Sequence, residues 1–273
     1  MVIPLSKHST VIAVLVSVIV LMASVSAQAE EEASSAELAK KLQNPVADLI
    51  SLPLQSNWDF GIGRADAMRY TLNVQPVIPI SLSHSWNLIT RTIVPFIHAE
   101  SPIPGGDSVG GIGDITQSFF LSPKEPVGGW ILGAGPVFLY PSASDDALGS
   151  GKWGAGPTAV VLRQEHGFTF GILANHIWSF AGDADRPDVS STFLQPFLNF
   201  TTKTYTTFGV NTESTYDWEN KQWTVPINLT VAQLVKLGKL PVQFTLGGRF
   251  YAERPSGGPD WGLRFVITFL FPK

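Results

Sequence analysis

From Leu52 to the end of the chain, apolar side chains recur at every second position in segment after segment. In Tyr70-Thr71-Leu72-Asn73-Val74-Gln75 the even positions are apolar and the odd ones polar. The last such segment carries Trp261, Leu263, Phe265, Ile267, Phe269 and Phe271 on one face, and Gly262, Arg264, Val266, Thr268 and Leu270 on the other. Successive side chains of a strand point to opposite faces, so each segment has one greasy side and one mixed side. A soluble sandwich buries the greasy side in a core; a barrel in lipid turns it outward. Two facts favour lipid. Charged residues make up only 15% of the chain, against roughly 25% in ordinary soluble domains. Arg, Asp, Asn, Pro or Gly interrupts every apolar stretch after the N-terminal one, so no later segment reads as a membrane-spanning helix.

The spacing predicts about twelve strands, near 53–62, 69–80, 85–97, 112–121, 129–140, 153–164, 168–180, 190–201, 204–216, 222–234, 241–253 and 261–271. An even number suits a single-chain barrel whose termini share one side. The connections then alternate. Ser81–His84, Ser122–Gly128, Glu165–Gly167, Thr202-Lys203 and Lys236–Leu240 are short, as periplasmic turns are. Ala99–Gly111, Ser142–Lys152, Gly182–Val189 and Arg254–Asp260 are longer and rich in Gly, Pro, Asp and Ser, as outer loops are; the first loop, near Arg64-Ala65-Asp66, is short. Trp58, Trp86, Trp130, Tyr140, Trp178, Trp218, Trp223 and Trp261 bracket strands where interfacial aromatics are expected. Pro76, Pro95, Pro136, Pro157, Pro196 and Pro226 fall inside strands and are expected at bulges or strand ends, because proline removes a ladder donor.

The N-terminus predicts export. Lys7 and His8 precede an apolar run from Val11 to about Val25, followed by Ala27-Gln28-Ala29 and the acidic Glu30-Glu31-Glu32. This is the layout of a cleaved signal peptide, residues 1–29, with cleavage after Ala29. Residues 30–51 form a separate segment in which Leu38, Leu42, Leu49 and Ile50 suggest a short helix broken at Pro45. It could lie in the periplasm, on the inner leaflet or inside the lumen, and the sequence leaves all three open. Residues 52–273 are the barrel. The fold expected is therefore all-β: a transmembrane antiparallel β-barrel of about twelve strands with a short N-terminal helical segment. The location expected is the outer membrane. The chain has no cysteine, which excludes disulfides and thiolate chemistry. No basic tract points to nucleic acid, and a net charge of −4 is slight.

Several strings resemble a known family. Asn44-Pro45-Val46-Ala47-Asp48-Leu49-Ile50-Ser51-Leu52-Pro53, Gly113-Asp114-Ile115-Thr116-Gln117-Ser118, Gly149-Ser150-Gly151-Lys152-Trp153-Gly154-Ala155-Gly156-Pro157, Asn175-His176-Ile177-Trp178-Ser179-Phe180-Ala181-Gly182 and Gly258-Pro259-Asp260-Trp261-Gly262-Leu263-Arg264-Phe265 carry the likeness. Together, from about Asn44 to Pro272, they resemble the outer-membrane proteins grouped as the phenol-degradation meta-pathway family, whose members are often labelled "transporter" or, misleadingly, "neuromedin U". The resemblance implies an outer-membrane barrel and, for some relatives, uptake of aromatic compounds. It brings no catalytic motif to transfer. The last strand also resembles the signal read by the barrel-assembly machinery, although Pro272 and Lys273 follow the terminal aromatic Phe271. Lipid, lipopolysaccharide, the assembly machinery and a small-molecule permeant are the partners this implies.

The inward face should carry Asn57, Asp59, Asn73, Gln75, Asn87, Arg91, Asp114, Asn175, Asn199, Glu213, Asn228, Arg249, Glu253 and Arg264. Arg91, Asp114, Glu213, Arg249, Glu253 and Arg264 are the candidates for lining and selectivity. Arg249 and Arg264 should lie nearly opposite one another across the last hairpin and should need carboxylates nearby, with Glu253 and Glu213 as the candidates. Such a set either selects permeants at a constriction or forms a buried ion-pair network that holds the barrel's shape. The expected function is passive passage of small organic molecules; the alternatives are a closed structural barrel and a lipid-modifying enzyme using His176. Ser179, the nearest serine, points to the opposite face from His176, so no catalytic residue is assigned. Gly151-Lys152 lacks the following Ser or Thr of a phosphate loop, and Gly110-Gly111-Ile112-Gly113 opens a strand rather than a helix. No cofactor or metal is called for. Asp145-Asp146 and Asp183-Ala184-Asp185 sit in outer loops and read as solvated loops, the alternative being divalent-cation binding at the lipopolysaccharide surface.

Overall fold

The computed structural model describes residues 35–272; the expected signal peptide, its cleavage site and the Glu30–Glu32 cluster lie outside the described residues. The strands are β1 (Ile50–Ile62), β2 (Ala67–Val74), β3 (Val77–Ser81), β4 (Trp86–Ala99), β5 (Val109–Ile112), β6 (Ile115–Pro123), β7 (Trp130–Tyr140) and β8 (Lys152–Glu165). They continue as β9 (Phe168–Gly182), β10 (Ser190–Thr201), β11 (Thr206–Thr212), β12 (Ser214–Asp217), β13 (Gln222–Leu237), β14 (Leu240–Glu253) and β15 (Trp261–Phe271). β2 with β3, β5 with β6, and β11 with β12 are interrupted halves of single staves. The result is a 12-strand antiparallel barrel in which each stave pairs with the next. It closes where β1 pairs with β15, from Ile50↔Phe271 to Phe60↔Trp261.

Both described chain ends lie at one end of the barrel, with the short turns; the other end carries the loops. Two turns show why the sequence bends where it does. His166 and Gly167 both have positive φ, 51° and 83°, as a two-residue I′ turn requires. Gly238, at 64°, supplies the first position of the Gly238-Lys239 turn. The alternation sorts side chains as expected. Leu229, Leu246, Phe250 and Leu263 are exposed on the outer wall, whereas Asn57, Asp59, Asn228 and Arg264 are buried on the inner one. Trp86, Trp130, Phe168, Phe200 and Phe271 belt the outside at the turn end, and Trp153, Trp178, Trp218, Trp223 and Trp261 at the loop end.

The prolines divide. Pro76 separates β2 from β3, and Pro226 sits at a register shift of β13, as expected. Pro136, Pro157 and Pro196 instead lie in mid-strand, at neither a bulge nor an end. Pro136 is directly opposite Pro157 in an unbroken β7–β8 ladder. Each leaves its rung missing on the far side: β6–β7 pairing skips from Ser118↔Val137 to Leu121↔Ala134, and β8–β9 pairing from Ala155↔Trp178 to Thr158↔Asn175. A closed barrel therefore absorbs a proline by opening one neighbour's ladder while keeping the other's.

The N-terminal segment sits in the turn end of the lumen. Residues 35–42 are helical. Leu38, Ala39, Ala47 and Leu49 are buried against Leu234 and Leu270 of β13 and β15. Val46 joins a second apolar cluster with Ile89, Phe120, Val160, Leu162 and Leu173, all inward-facing. The Gln164 side chain donates to the Lys40 carbonyl at 2.8 Å. This half of the lumen is thus filled like the core of a soluble domain, with the segment supplying side chains the strands lack.

Candidate functional site

Polar residues gather on the wall formed by β10 through β4 by way of the closure. At its centre, Glu213 accepts two parallel hydrogen bonds from Arg264, Nη1 to Oε1 at 2.8 Å and Nη2 to Oε2 at 2.7 Å. Arg264 Nε donates to Asn57 Oδ1 at 2.8 Å. Arg249 lies 3.3 Å from an Asp59 oxygen and 4.0 Å from Glu213. Tyr251 donates its hydroxyl to Asp59 at 2.8 Å. Arg91, on β4, donates to the Gln75 side-chain oxygen at 2.9 Å.

The backbone explains why Glu213 stands at this centre. It lies between β11 and β12, where the stave is interrupted. Counting along the ladders places Gln195-Pro196 of β10 beside it on one side and Pro226 of β13 on the other. Neither proline has an N–H to give, so the stave loses its rungs there. Glycines make room for the arginines. Arg249 and Asp59 are both paired with Gly262, and the missing side chain lets the guanidinium reach across β15 to the carboxylate. In the same way Arg264 is flanked by Gly247.

Of the residues proposed from sequence, Arg91, Glu213, Arg249 and Arg264 face one lumen, and the last three are in direct contact. Glu253 does not join them. It is exposed at the loop end, where it accepts from the Gln222 side chain at 3.2 Å. The second carboxylate is Asp59. Asp114 faces the loops rather than the lumen centre: it accepts from the Ser150 backbone at 2.6 Å, the Ser150 hydroxyl at 2.7 Å and the Ala143 backbone at 3.2 Å, tethering the 141–151 loop. Lys152 and Asp188, 3.0 Å apart, and Arg186, which donates to the carbonyls of Asp146 and Gly149, tie that loop to its neighbour. His176 is hydrogen-bonded at 2.7 Å to the hydroxyl of Thr192, which also accepts from Trp218, while Ser179 bonds Asp188. The two residues weighed for catalysis do not meet.

Two cavities flank the charged layer. The outer one, of about 820 Å³, includes Asp59, Glu213, Arg249 and Tyr251, and is rimmed by Pro102, Asp107, Pro255 and Pro259 of the loops. The inner one, of about 240 Å³, lies between Arg91 and the N-terminal segment. The arrangement can admit a small solute from the loop end and present it to a belt of guanidiniums, amides and carboxylates.

No family model matches the chain, and no curated protein matches it by sequence. Solved structures do resemble its fold. The COG4313 outer membrane channel from Pseudomonas putida F1 is 15% identical with a TM-score of 0.64, over 82% of this chain and 96% of that one. The NanC porin is 10% identical with a TM-score of 0.52, over 81% of this chain and 100% of that one. At such identities the likeness is one of architecture: this chain has the transmembrane barrel fold that an outer membrane channel and a porin also have.

Proposed function

We propose that the chain is an outer-membrane channel through which small organic molecules enter by passive diffusion. The observation that carries this is the outer cavity of about 820 Å³, open toward the loops and floored by Arg249, Glu213 and Asp59. A purely structural barrel has no need of a polar chamber of that size. The likeness to a channel and a porin supports the same reading. Export with cleavage after Ala29, insertion by the barrel-assembly machinery and contact with lipopolysaccharide complete the proposal. Arg91, Arg249 and Arg264, against Asp59 and Glu213, leave the layer one positive charge in excess and set a preference for anions.

The test is conductance of the purified barrel in a planar lipid bilayer. Discrete single-channel steps with anion preference are expected, and replacement of all three arginines by Gln should abolish that preference. Unchanged ion selectivity in the triple variant would overturn the arginine assignment. A folded barrel silent both intact and after removal of its N-terminal segment would overturn the channel. The packing of Leu38, Val46 and Leu49 inside the lumen favours a second reading for the resting state: the N-terminal segment is a plug that must move for the path to open.

A further inference from the structure

The inner cavity has a composition of its own. Among the described residues that line it there is no carboxylate. Arg91 projects there, and among the described residues its side chain donates to a neutral amide, that of Gln75. The carboxylate whose charge acts on it, Glu213, is held directly by Arg264 and shared with Arg249. Arg91 is partly buried, and a cation drawn out of water is costly without a counter-charge. Gln243 adds a second demand. It is only 7% exposed, it lines the cavity, and its Nε2 has no hydrogen-bond partner among the described residues; a buried donor left unpaired carries its full desolvation cost. Leu42 and Leu49 of the N-terminal segment, with Val77 and Phe197, give the rest of the cavity an apolar wall.

We propose that this cavity is a binding site for a small monocarboxylate with an apolar body. The carboxylate accepts from the Arg91 guanidinium and Gln243 Nε2, and the hydrocarbon part lies against Leu42, Leu49, Val77 and Phe197. One wall belongs to the N-terminal segment, so the ligand touches the plug as well as the barrel. The site rests on the channel reading only for the ligand's route in; occupancy is read without transport.

The experiment is calorimetric titration of the purified barrel, N-terminal segment included, with hexanoate, hexanol and hexylammonium, three head groups on one chain length. Saturable binding of hexanoate at one site is expected, about tenfold or more tighter than either of the others, since hydrogen bonds to a charged group are worth about 1.5–3 kcal/mol. Arg91→Gln should weaken hexanoate about tenfold or more and Gln243→Leu by a smaller factor, with both leaving hexanol unchanged. The head-group comparison needs no variant, so a misfolded mutant leaves the test intact. Equal binding of hexanoate and hexanol, or no saturable hexanoate heat in the millimolar range, overturns the site. Conductance steps without hexanoate binding overturn the site and leave the channel standing; hexanoate binding to a barrel that is silent both intact and after removal of its N-terminal segment does the reverse.

Discussion

Gly262 shows how closely a single residue can be specified. A Cβ there would stand 2.6 Å from both Asp59 Oδ1 and the Trp58 carbonyl, in the gap Arg249 spans. Gly262→Ala should therefore cost about 1–3 kcal/mol in urea unfolding, the range for overpacking a filled interior. Gly248, where a Cβ meets nothing within 4 Å, is the control, and Gly248→Ala should be near neutral. At this scale the sequence was legible in parity but not in height. Alternation placed Arg249, Arg264 and Glu213 on the inward face, where they are. It gave Glu253 the same parity and could not tell that it stands at the exposed loop end, beyond a register shift in β13. Asp59 was on the inward face too, but its partnership with Arg249 spans 190 residues and exists only because the barrel closes.

Among the elements, strands and turns were readable because their signals are local: a period of two, and Gly at positive φ. Mid-strand prolines were misjudged because a proline's cost depends on which neighbour its nitrogen faces, which no single strand reveals. Asp114 was misplaced for a related reason. Pairing of β4 shifts from Phe96↔Ile112 with β5 to Ile93↔Thr116 with β6, so one extra residue bulges beside it and re-aims its carboxylate at the 141–151 loop. The loop clamp carries a pH prediction. Hydrogen bonds from Lys152 and Ser179 hold the Asp188 carboxyl below its ordinary value of 3.8. A depressed folded-state pKa stabilises fully above the unfolded value and is lost as pH falls through the folded one. Amide exchange across 183–189, corrected for its intrinsic pH dependence, should be flat from pH 7 to pH 5, rise below the aspartate range, and be fast already at neutral pH in Asp188→Asn.

For the molecule as a whole, the N-terminal segment is the part the sequence left open. Its apolar side chains at 38, 42, 46 and 49 fit a periplasmic helix, a surface helix or a plug equally well, and only the apolar inward positions of β4, β6, β8 and β9 decide. Those positions, Ile89, Phe120, Val160, Leu162 and Leu173, break the polar-in rule of a water-filled pore and form half of a core. Removing residues 30–43 should raise single-channel conductance and lower the free energy of unfolding by about 1.5–3 kcal/mol or more, for the loss of buried Leu38 and its neighbours. A rise in conductance without loss of stability would mean that the segment rests loosely in the mouth rather than packing there.

The charged layer also bears on how the cylinder is joined. β1 and β15 could slip by two residues and still turn every greasy side chain outward, because alternation repeats with that period. Arg264 reaches Asn57 on the far side of the join and Glu213 on the near side, and Arg249 reaches Asp59 across it. A slip of two would leave at least one of these buried ions without its partner, a penalty of about 3–5 kcal/mol. The cluster thus acts as a key at the seam: it rejects the misaligned closures that hydrophobic patterning alone would accept, and it can do so only after the last strand has been made.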